Sequence, residues 1–296
     1  MAPLAHTLAL LAMAVATAAE EVIMDMAQDS FDDQYLKCSV EMSEKFQELQ
    51  GSDFHENVEF KENWAKAMDE WKNRGSISSP LTPDQAVALM AYSMKKTNLY
   101  RQFNMAVQTA GSSSGKYRNE FHFKSLHFLL TRAIQTLRPT TCLNVFRGVT
   151  GYTFKVTPGD EVRFSQFTST SLRKKVAQDY GKDTMFQVYT CHGADIQKFS
   201  YNKSEQEVLI PPFETFKVIK ATPEGEQIVL QSTRTFSNYD CEWLKGDIMG
   251  TAWGNWGHSM RVEDRDTQCW EHPPTAGDKD RDSHCWAQGM GTPSAR

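Results

Sequence analysis

Glu205-Gln206-Glu207-Val208-Leu209-Ile210-Pro211-Pro212 places two like charges at the head of an apolar run closed by two prolines. Side chains alternate faces along a strand, so an extended reading puts Glu205 and Glu207 on one face and Val208 and Ile210 on the other. Two carboxylates on one strand face repel each other. A second costly choice lies upstream, where Arg147 in Asn144-Val145-Phe146-Arg147-Gly148 shares a strand face with Leu143 and Val145. A guanidinium in line with apolar neighbours must be paired or solvated. Between the two stands Phe167-Thr168-Ser169-Thr170-Ser171, a hydroxyl-rich run with Ser169 and Ser171 on one face. Three such polar elements, each in a strand-like run, argue for a site.

Outward from these runs the second half of the chain reads as strands. Short β-type segments fall at 142–147, 162–164, 167–171, 185–191, 196–200, 207–210, 215–221 and 227–235, and residues 173–180 read as one helix among them. Thr157-Pro158-Gly159-Asp160 and Pro223-Glu224-Gly225 supply turn signals between strands. Upstream of Pro139 the pattern is helical. Phe31, Tyr35, Met42, Phe46 and Leu49, then Phe60, Trp64, Met68 and Trp71, recur at spacings near three and four across residues 30–72. Thr82-Pro83-Asp84 predicts a capped helix start with proline in its first turn. Further helices are predicted at 99–107 and 123–137, with Gly111-Ser112-Ser113-Ser114-Gly115 as a loop. Helices first and strands second is an α+β layout without βαβ alternation.

The 296 residues carry 32 basic and 37 acidic side chains, a net charge of −5, which gives no basic footprint for nucleic acid. Residues 1–19 hold an Ala/Leu-rich run ending in Ala16-Thr17-Ala18 before Glu20-Glu21, which reads as a secretory signal peptide. The mature chain is then expected to be secreted, with six cysteines free to form bridges whose pairing the count alone leaves open among 15 arrangements. Residues 242–296 read as a Trp-, Gly- and charge-rich extension without a hydrophobic tail, so no lipid anchor is expected. Asn202-Lys203-Ser204 is a glycosylation sequon whose glycan would crowd the glutamates. The eight histidines are scattered, with no His-x-x-x-His or Cys-x-x-Cys, so no metal is expected.

On its own terms Arg147 beside Gly148 suits a phosphate, because a guanidinium offers a planar bidentate fork. A local carboxylate partner would explain it equally well. The glutamates suit work at a sugar anomeric centre, one carboxylate stabilising an oxocarbenium-like ion and one handling the nucleophile. An ordinary acidic strand would look the same. A Ser/His/Asp hydrolase reading fails for lack of a Gly-x-Ser-x-Gly elbow.

Together these residues resemble the R-S-ExE signature of the vertebrate arginine-specific mono-ADP-ribosyltransferases, the ecto-enzyme family related to cholera-toxin-type toxins. The likeness runs from about Tyr35 to Cys241 and includes Ala91-Tyr92-Ser93, the segment 126–131, residues 145–148, residues 162–171 and residues 205–212. It implies a helical N-terminal half (20–138) packed on a strand-rich, two-sheet core (139–241), with NAD in a cleft. It implies that Arg147 holds the phosphate and nicotinamide-ribose side of NAD and that Ser169 positions the catalytic carboxylate. Glu207 would stabilise the oxocarbenium-like transition state, and Glu205 would engage the incoming guanidinium. Gln166, Ser200 and, less directly, Tyr92 match further cleft positions. The implied activity is transfer of ADP-ribose from NAD, with NADP as a further donor, to arginine on extracellular proteins or to small guanidines. A hydrolytic NAD glycohydrolase, or a silent binding member of the family, would use the same scaffold. The likeness also implies the bridges Cys38–Cys241 and Cys142–Cys191, and leaves Cys269 and Cys285 outside it.

Overall fold

The computed structural model describes residues 19–75 and 78–246. The expected signal peptide, all but its last residue, therefore lies outside the described residues, as do Cys269, Cys285 and the extension beyond 246. Helices fill the first half: α1 (Ser39–Glu44), α2 (Phe46–Glu56), α3 (Val58–Arg74), α4 (Pro83–Ser93), α5 (Leu99–Ala110), α6 (Ser114–Glu120) and α7 (Lys124–Leu137). The start of α4 follows its sequence: the Thr82 hydroxyl accepts from Gln85 N at 3.2 Å and the Gln85 side chain accepts from Thr82 N at 3.0 Å, a reciprocal cap. Residues 31–37, read as helix from their apolar spacing, are irregular. Tyr35 has φ +55°, and Asp33 Oδ1 accepts from Tyr35 N at 2.8 Å. Phe31, Asp32, Asp33 and Tyr35 are buried while Leu36 is exposed, and Phe31 stacks on Tyr117 with ring centroids 4.0 Å apart.

The strands are β1 (Glu20–Ile23), β2 (Leu143–Val149), β3 (Tyr152–Lys155), β4 (Glu161–Arg163), β5 (Thr168–Ser171), β6 (Thr184–Thr190), β7 (Ala194–Asp195), β8 (Glu207–Ile210), β9 (Glu214–Ala221) and β10 (Gln227–Thr235), with α8 (Lys174–Tyr180) between β5 and β6. The α+β layout holds. The two expected sheets are continuous: β4-β9-β10-β6-β2 joins β5-β8-β7 through the single residue pair Phe146–Ser171. Val145, Val188 and Phe216 from the first arm and Val208 and Ile210 from the second share one apolar core, so the two arms enclose it together. A second core lies under the helices and takes Leu209 and Phe167 from the other side of the second arm. Two small differences from the sequence reading arise locally. Residues 196–200 form a turn, with Phe199 N and Ser200 N both donating to Ile196 O at 2.9 Å, and β1 pairs with β3 in a parallel ribbon that the sequence does not announce.

Two ties hold the helical half to the sheet, while the Cys142–Cys191 bridge joins the ends of the paired strands β2 and β6. The first tie is the Cys38–Cys241 bridge. The second is a buried ion pair: Arg163 at the end of β4 and Asp32 are both fully buried, with Nη1 2.5 Å from Oδ2. Arg163 also donates to the carbonyls of Met26, Ala27 and Phe236, and Asp32 accepts from Asn238 N and Tyr239 N. Burial raises the Asp32 carboxyl from its ordinary value even against this guanidinium. Removing one partner strands the other, so Arg163→Met should destabilise the oxidised protein by about 3–5 kcal/mol in urea unfolding.

Two buried groups in the helical half titrate with opposite signs. Burial lowers His127 to about 3, where it is bonded to Tyr35 Oη and Phe31 O. Its folded value lies below its unfolded value, so its contribution to stability is lost as pH falls below about 6.5. Burial raises Asp53 to about 6, although it accepts from Ser125 N and Oγ at the head of α7. A raised carboxyl favours the fold on acidification, so between about pH 6 and pH 4 it offsets His127. Asp53→Asn should remove that offset, and the unfolding free energy should fall more steeply than wild type between pH 5.5 and pH 4.5, by about 1 kcal/mol over that unit.

Candidate active site

The side chains singled out in the sequence converge because β2, β5 and β8 lie side by side. In the β5–β8 register Ser169 faces Leu209 and Ser171 faces Glu207, so Ser169, Ser171, Glu207 and Leu209 share one face. Arg147 on β2 donates Nη1 to Ser169 O at 2.8 Å, spanning the gap where the two arms of the sheet are joined by one pair. Burial pushes its guanidinium below the usual value, but an arginine stays charged throughout the physiological range. Gly148 is required beside it: a Cβ there would lie 2.1 Å from Ala177 O and 2.4 Å from Gly181 O, so only glycine lets β2 approach α8 this closely.

Glu207 is 5% exposed, and burial raises its carboxyl above the ordinary range. The Ser200 hydroxyl donates to Glu207 Oε2 at 3.0 Å, and Ser169 adds a looser polar contact; both pull the value back down. Ser200 is buried beside the carboxylate, in the turn at 196–200, and that turn is fixed by Arg74 of α3, which donates to Ser200 O at 2.8 Å and to Tyr201 O at 2.7 Å. In this structure its hydroxyl supports Glu207.

Glu205 departs from the strand reading. Residues Lys203–Glu205 form a 3-10 turn, Gln206 has φ +46°, and β8 begins only at Glu207. The two glutamates are not on one strand face, although the Glu205 charge still helps to raise the Glu207 carboxyl. Ser171 Oγ holds the turn by donating to Glu205 O at 2.7 Å. Glu205 Oε1 accepts from Lys95 Nζ at 2.6 Å and from Asn202 Nδ2 at 2.8 Å. Asn202, the sequon asparagine, thus has its amide directed to the site.

One cavity of about 400 Å³ is lined by Arg147, Ser169, Ser171, Glu205 and Glu207, and by Tyr92, Gln166, Asn104, Lys95 and Tyr180. Gln166 borders it with its Oε1 accepting from Gln108 Nε2 at 2.7 Å. Tyr92 lines it with its ring, but its hydroxyl donates to Phe167 O at 2.9 Å, and burial raises it to about 12. That hydroxyl serves the junction of helix and strand, with Asn104 Nδ2 bonded to the same two oxygens at 3.1 Å. Lys95, Tyr180 and Asn104 carry no signal of periodicity or spacing in the sequence: Lys95 lies in a loop, Tyr180 ends α8, and Asn104 is one polar residue within α5. Among the described residues no group of three or more His, Cys, Asp or Glu is placed to hold a metal ion.

A cavity with a guanidinium on one wall and two carboxylates on another is matched to a molecule that carries both an anionic phosphate and a developing positive charge. NAD has both. A family model described as ART: NAD:arginine ADP-ribosyltransferase matches residues 24–238. NAD(P)(+)--arginine ADP-ribosyltransferase 2 of Gallus gallus is 48% identical over 244 residues, covering 80% of this chain and 77% of that protein. GPI-linked NAD(P)(+)--arginine ADP-ribosyltransferase 1 of Mus musculus is 41% identical over 243 residues, covering 76% and 74%. The crystal structure of the eucaryotic mono-ADP-ribosyltransferase ART2.2 is similar with a TM-score of 0.67 at 37% identity, covering 74% of this chain and 98% of that one. Mutants of that enzyme have been crystallised with NADH and with NAD. With sequence, fold and site in agreement, this chain belongs to the NAD:arginine ADP-ribosyltransferase family.

Proposed function

We propose that residues 20–241 form the catalytic domain of an arginine-specific mono-ADP-ribosyltransferase that takes NAD as donor and releases nicotinamide. The observation that carries this reading is the meeting of Arg147, Glu207 and Glu205 on one cavity. Arg147 holds the diphosphate side of the donor through its guanidinium, which is oriented by the Nη1 bond to Ser169 O. The bond between the ribose anomeric carbon and the nicotinamide nitrogen breaks, and its electron pair leaves with nicotinamide. Positive charge grows on the ribose, and the buried Glu207 carboxylate stabilises it in surroundings of low dielectric. A guanidine nitrogen of the acceptor supplies the new bond to the anomeric carbon. Glu205 orients the guanidinium and accepts the proton it gives up. Ser169 and Ser200 keep Glu207 in place and ionised.

The acceptor class follows from Glu205, because a carboxylate is the natural bidentate partner of a guanidinium. Arginine-bearing proteins on the extracellular side, and small guanidines such as agmatine, are the acceptors in this reading. It is supported by the leader-like residues 1–19, by the two disulfides, and by relatives named as ecto-enzymes. The names of the relatives, NAD(P)(+)--arginine, extend the donor to NADP. Among the described residues no helix is long and apolar enough to cross a membrane.

The test is nicotinamide release and ADP-ribosyl-agmatine formation by the purified, oxidised protein. Glu207→Gln should lower both by on the order of 10²–10³ in kcat, as loss of one preorganised electrostatic group does. Glu205→Gln should abolish transfer to agmatine while nicotinamide release continues. Full nicotinamide release by Glu207→Gln would overturn the mechanism. The acid limb of kcat/KM for NAD should lie above that of an ordinary carboxylate, because burial raises Glu207 and its ionised form is the active one. Ser200→Ala removes a hydrogen bond to that ionised form, so the limb should move to still higher pH.

A further inference from the structure

Glu205 is not empty-handed. Lys95, in the connection between α4 and α5, places Nζ 2.6 Å from Glu205 Oε1 and 4.1 Å from the centroid of the Tyr180 ring, and also bonds the Tyr180 hydroxyl. Two separate segments therefore build a small box for a cation: the 202–205 turn, with the Glu205 carboxylate and Asn202 donating to the same carboxylate oxygen, and the end of α8, with the Tyr180 ring. All but Asn202 line the cavity that holds Arg147 and Glu207. The lysine side chain is 48% exposed whereas Glu205 is 15% exposed, so the cation can swing out to solvent while the carboxylate stays.

We propose that Lys95 is the resident cation of the acceptor subsite, that an arginine acceptor binds by displacing it from Glu205, and that the Tyr180 ring forms the second wall of that subsite. This rests on the transferase reading given above. The exchange favours guanidinium for two reasons. Lys95 engages the carboxylate through one oxygen, Oε1, whereas a planar guanidinium can take both carboxylate oxygens with two parallel bonds. A guanidinium also stacks on an aromatic face, which an ammonium meets only as a point charge. Lys95 thus sets a threshold: a ligand with one compact charge, such as a lysine side chain, gains nothing by replacing it. Before the acceptor arrives, the ammonium also screens Glu205 from Glu207 and keeps the site neutralised.

The test compares wild type, Lys95→Met and Lys95→Arg in steady-state transfer from NAD to agmatine, with both substrates varied. Loss of the competing cation should lower KM for agmatine about two- to fivefold in Lys95→Met, as expected for a partly exposed ion pair, with no matching fall in KM for NAD. Lys95→Arg puts a better-matched fork on Glu205 and should raise KM for agmatine above wild type. Tyr180→Leu should raise it as well. An unchanged or higher agmatine KM in Lys95→Met, or an equal shift in both KM values, would overturn the proposal, the latter marking Lys95 as a general support of the cleft. Wild-type protein that releases nicotinamide but forms no ADP-ribosyl-agmatine would remove the transferase reading itself, an outcome distinct from transfer that ignores position 95.

Discussion

The placement of the whole cleft depends on a guanidinium that takes no part in its chemistry. Arg163 ends a strand only three residues long, and nothing in a short edge strand fixes where the helical half must sit. By burying its charge completely, the chain makes every N–H of that side chain demand a partner. The partners come from both ends of the domain: Met26, Ala27 and Asp32 from the N-terminal segment, Phe236 from the C-terminal one. Asp32 and Asp33 then receive the backbone N–H groups of residues 238, 239 and 242. The Cys38–Cys241 bridge closes the same junction a few residues away. An ion pair of this kind adds little net stability over an apolar contact, but it tolerates very few arrangements. Its value here lies in register: once the terminal segments are clasped to β4, α4 and α5 are fixed over β5.

That docking is what allows a carboxylate to be buried usefully. Glu207 begins β8, so its backbone is held on both sides, by β5 and by β7. Leu209, on the same face, goes into the helical core, and the alternate residues Val208 and Ile210 fill the core between the arms of the sheet. The strand cannot rotate without exposing apolar side chains on one face or the other. The charge at its head is thereby fixed in a position where water solvates it poorly and hydroxyls from Ser200 and Ser169 solvate it in part. A carboxylate left partly unsatisfied in this way is a destabilising choice for the fold and a favourable one for an adjacent developing cation.

Much of this was legible in the sequence, and the parts that were not share a cause. Strand runs with alternating patterns, such as 185–191 and 227–235, were readable because one face packs on the core while the other meets solvent, which writes period two into the sequence. The cap at Thr82 was readable because it needs particular side chains at fixed spacing. The segment 31–37 misled because its apolar residues fall at helical intervals by coincidence; Asp33 turns the backbone and Tyr35 takes a left-handed conformation, and neither leaves a periodic trace. Residues 196–200 misled in the same way, being apolar for burial under α3 rather than for pairing. Arg147 and Glu207 stand out in the sequence because each is a charge in an apolar strand run, whereas Ser169, in the hydroxyl run Thr168–Ser171, is marked by the family resemblance alone. Lys95 and Tyr180 could not, since a lysine in a loop and a tyrosine at a helix end break no local rule.

The left-handed Gln206 explains why the two glutamates can do different work. Had residues 205–207 continued as strand, both carboxylates would point to one face at similar depth, and each would resist ionisation of the other. A single residue at φ +46° ends the strand between them. Glu207 stays in the sheet, buried and rigid, while Glu205 is placed on a turn braced by Ser171 and Asn202 and within reach of a lysine from the helical half. In the proposed mechanism the rigid carboxylate is the one assigned to charge that arises at a fixed atom of the donor. The carboxylate on the turn is the one assigned to a partner that arrives from outside and must be matched in orientation. Two residues apart in sequence, they belong to different mechanical environments, and the spacing Glu-x-Glu has its meaning in the conformation of the residue between them.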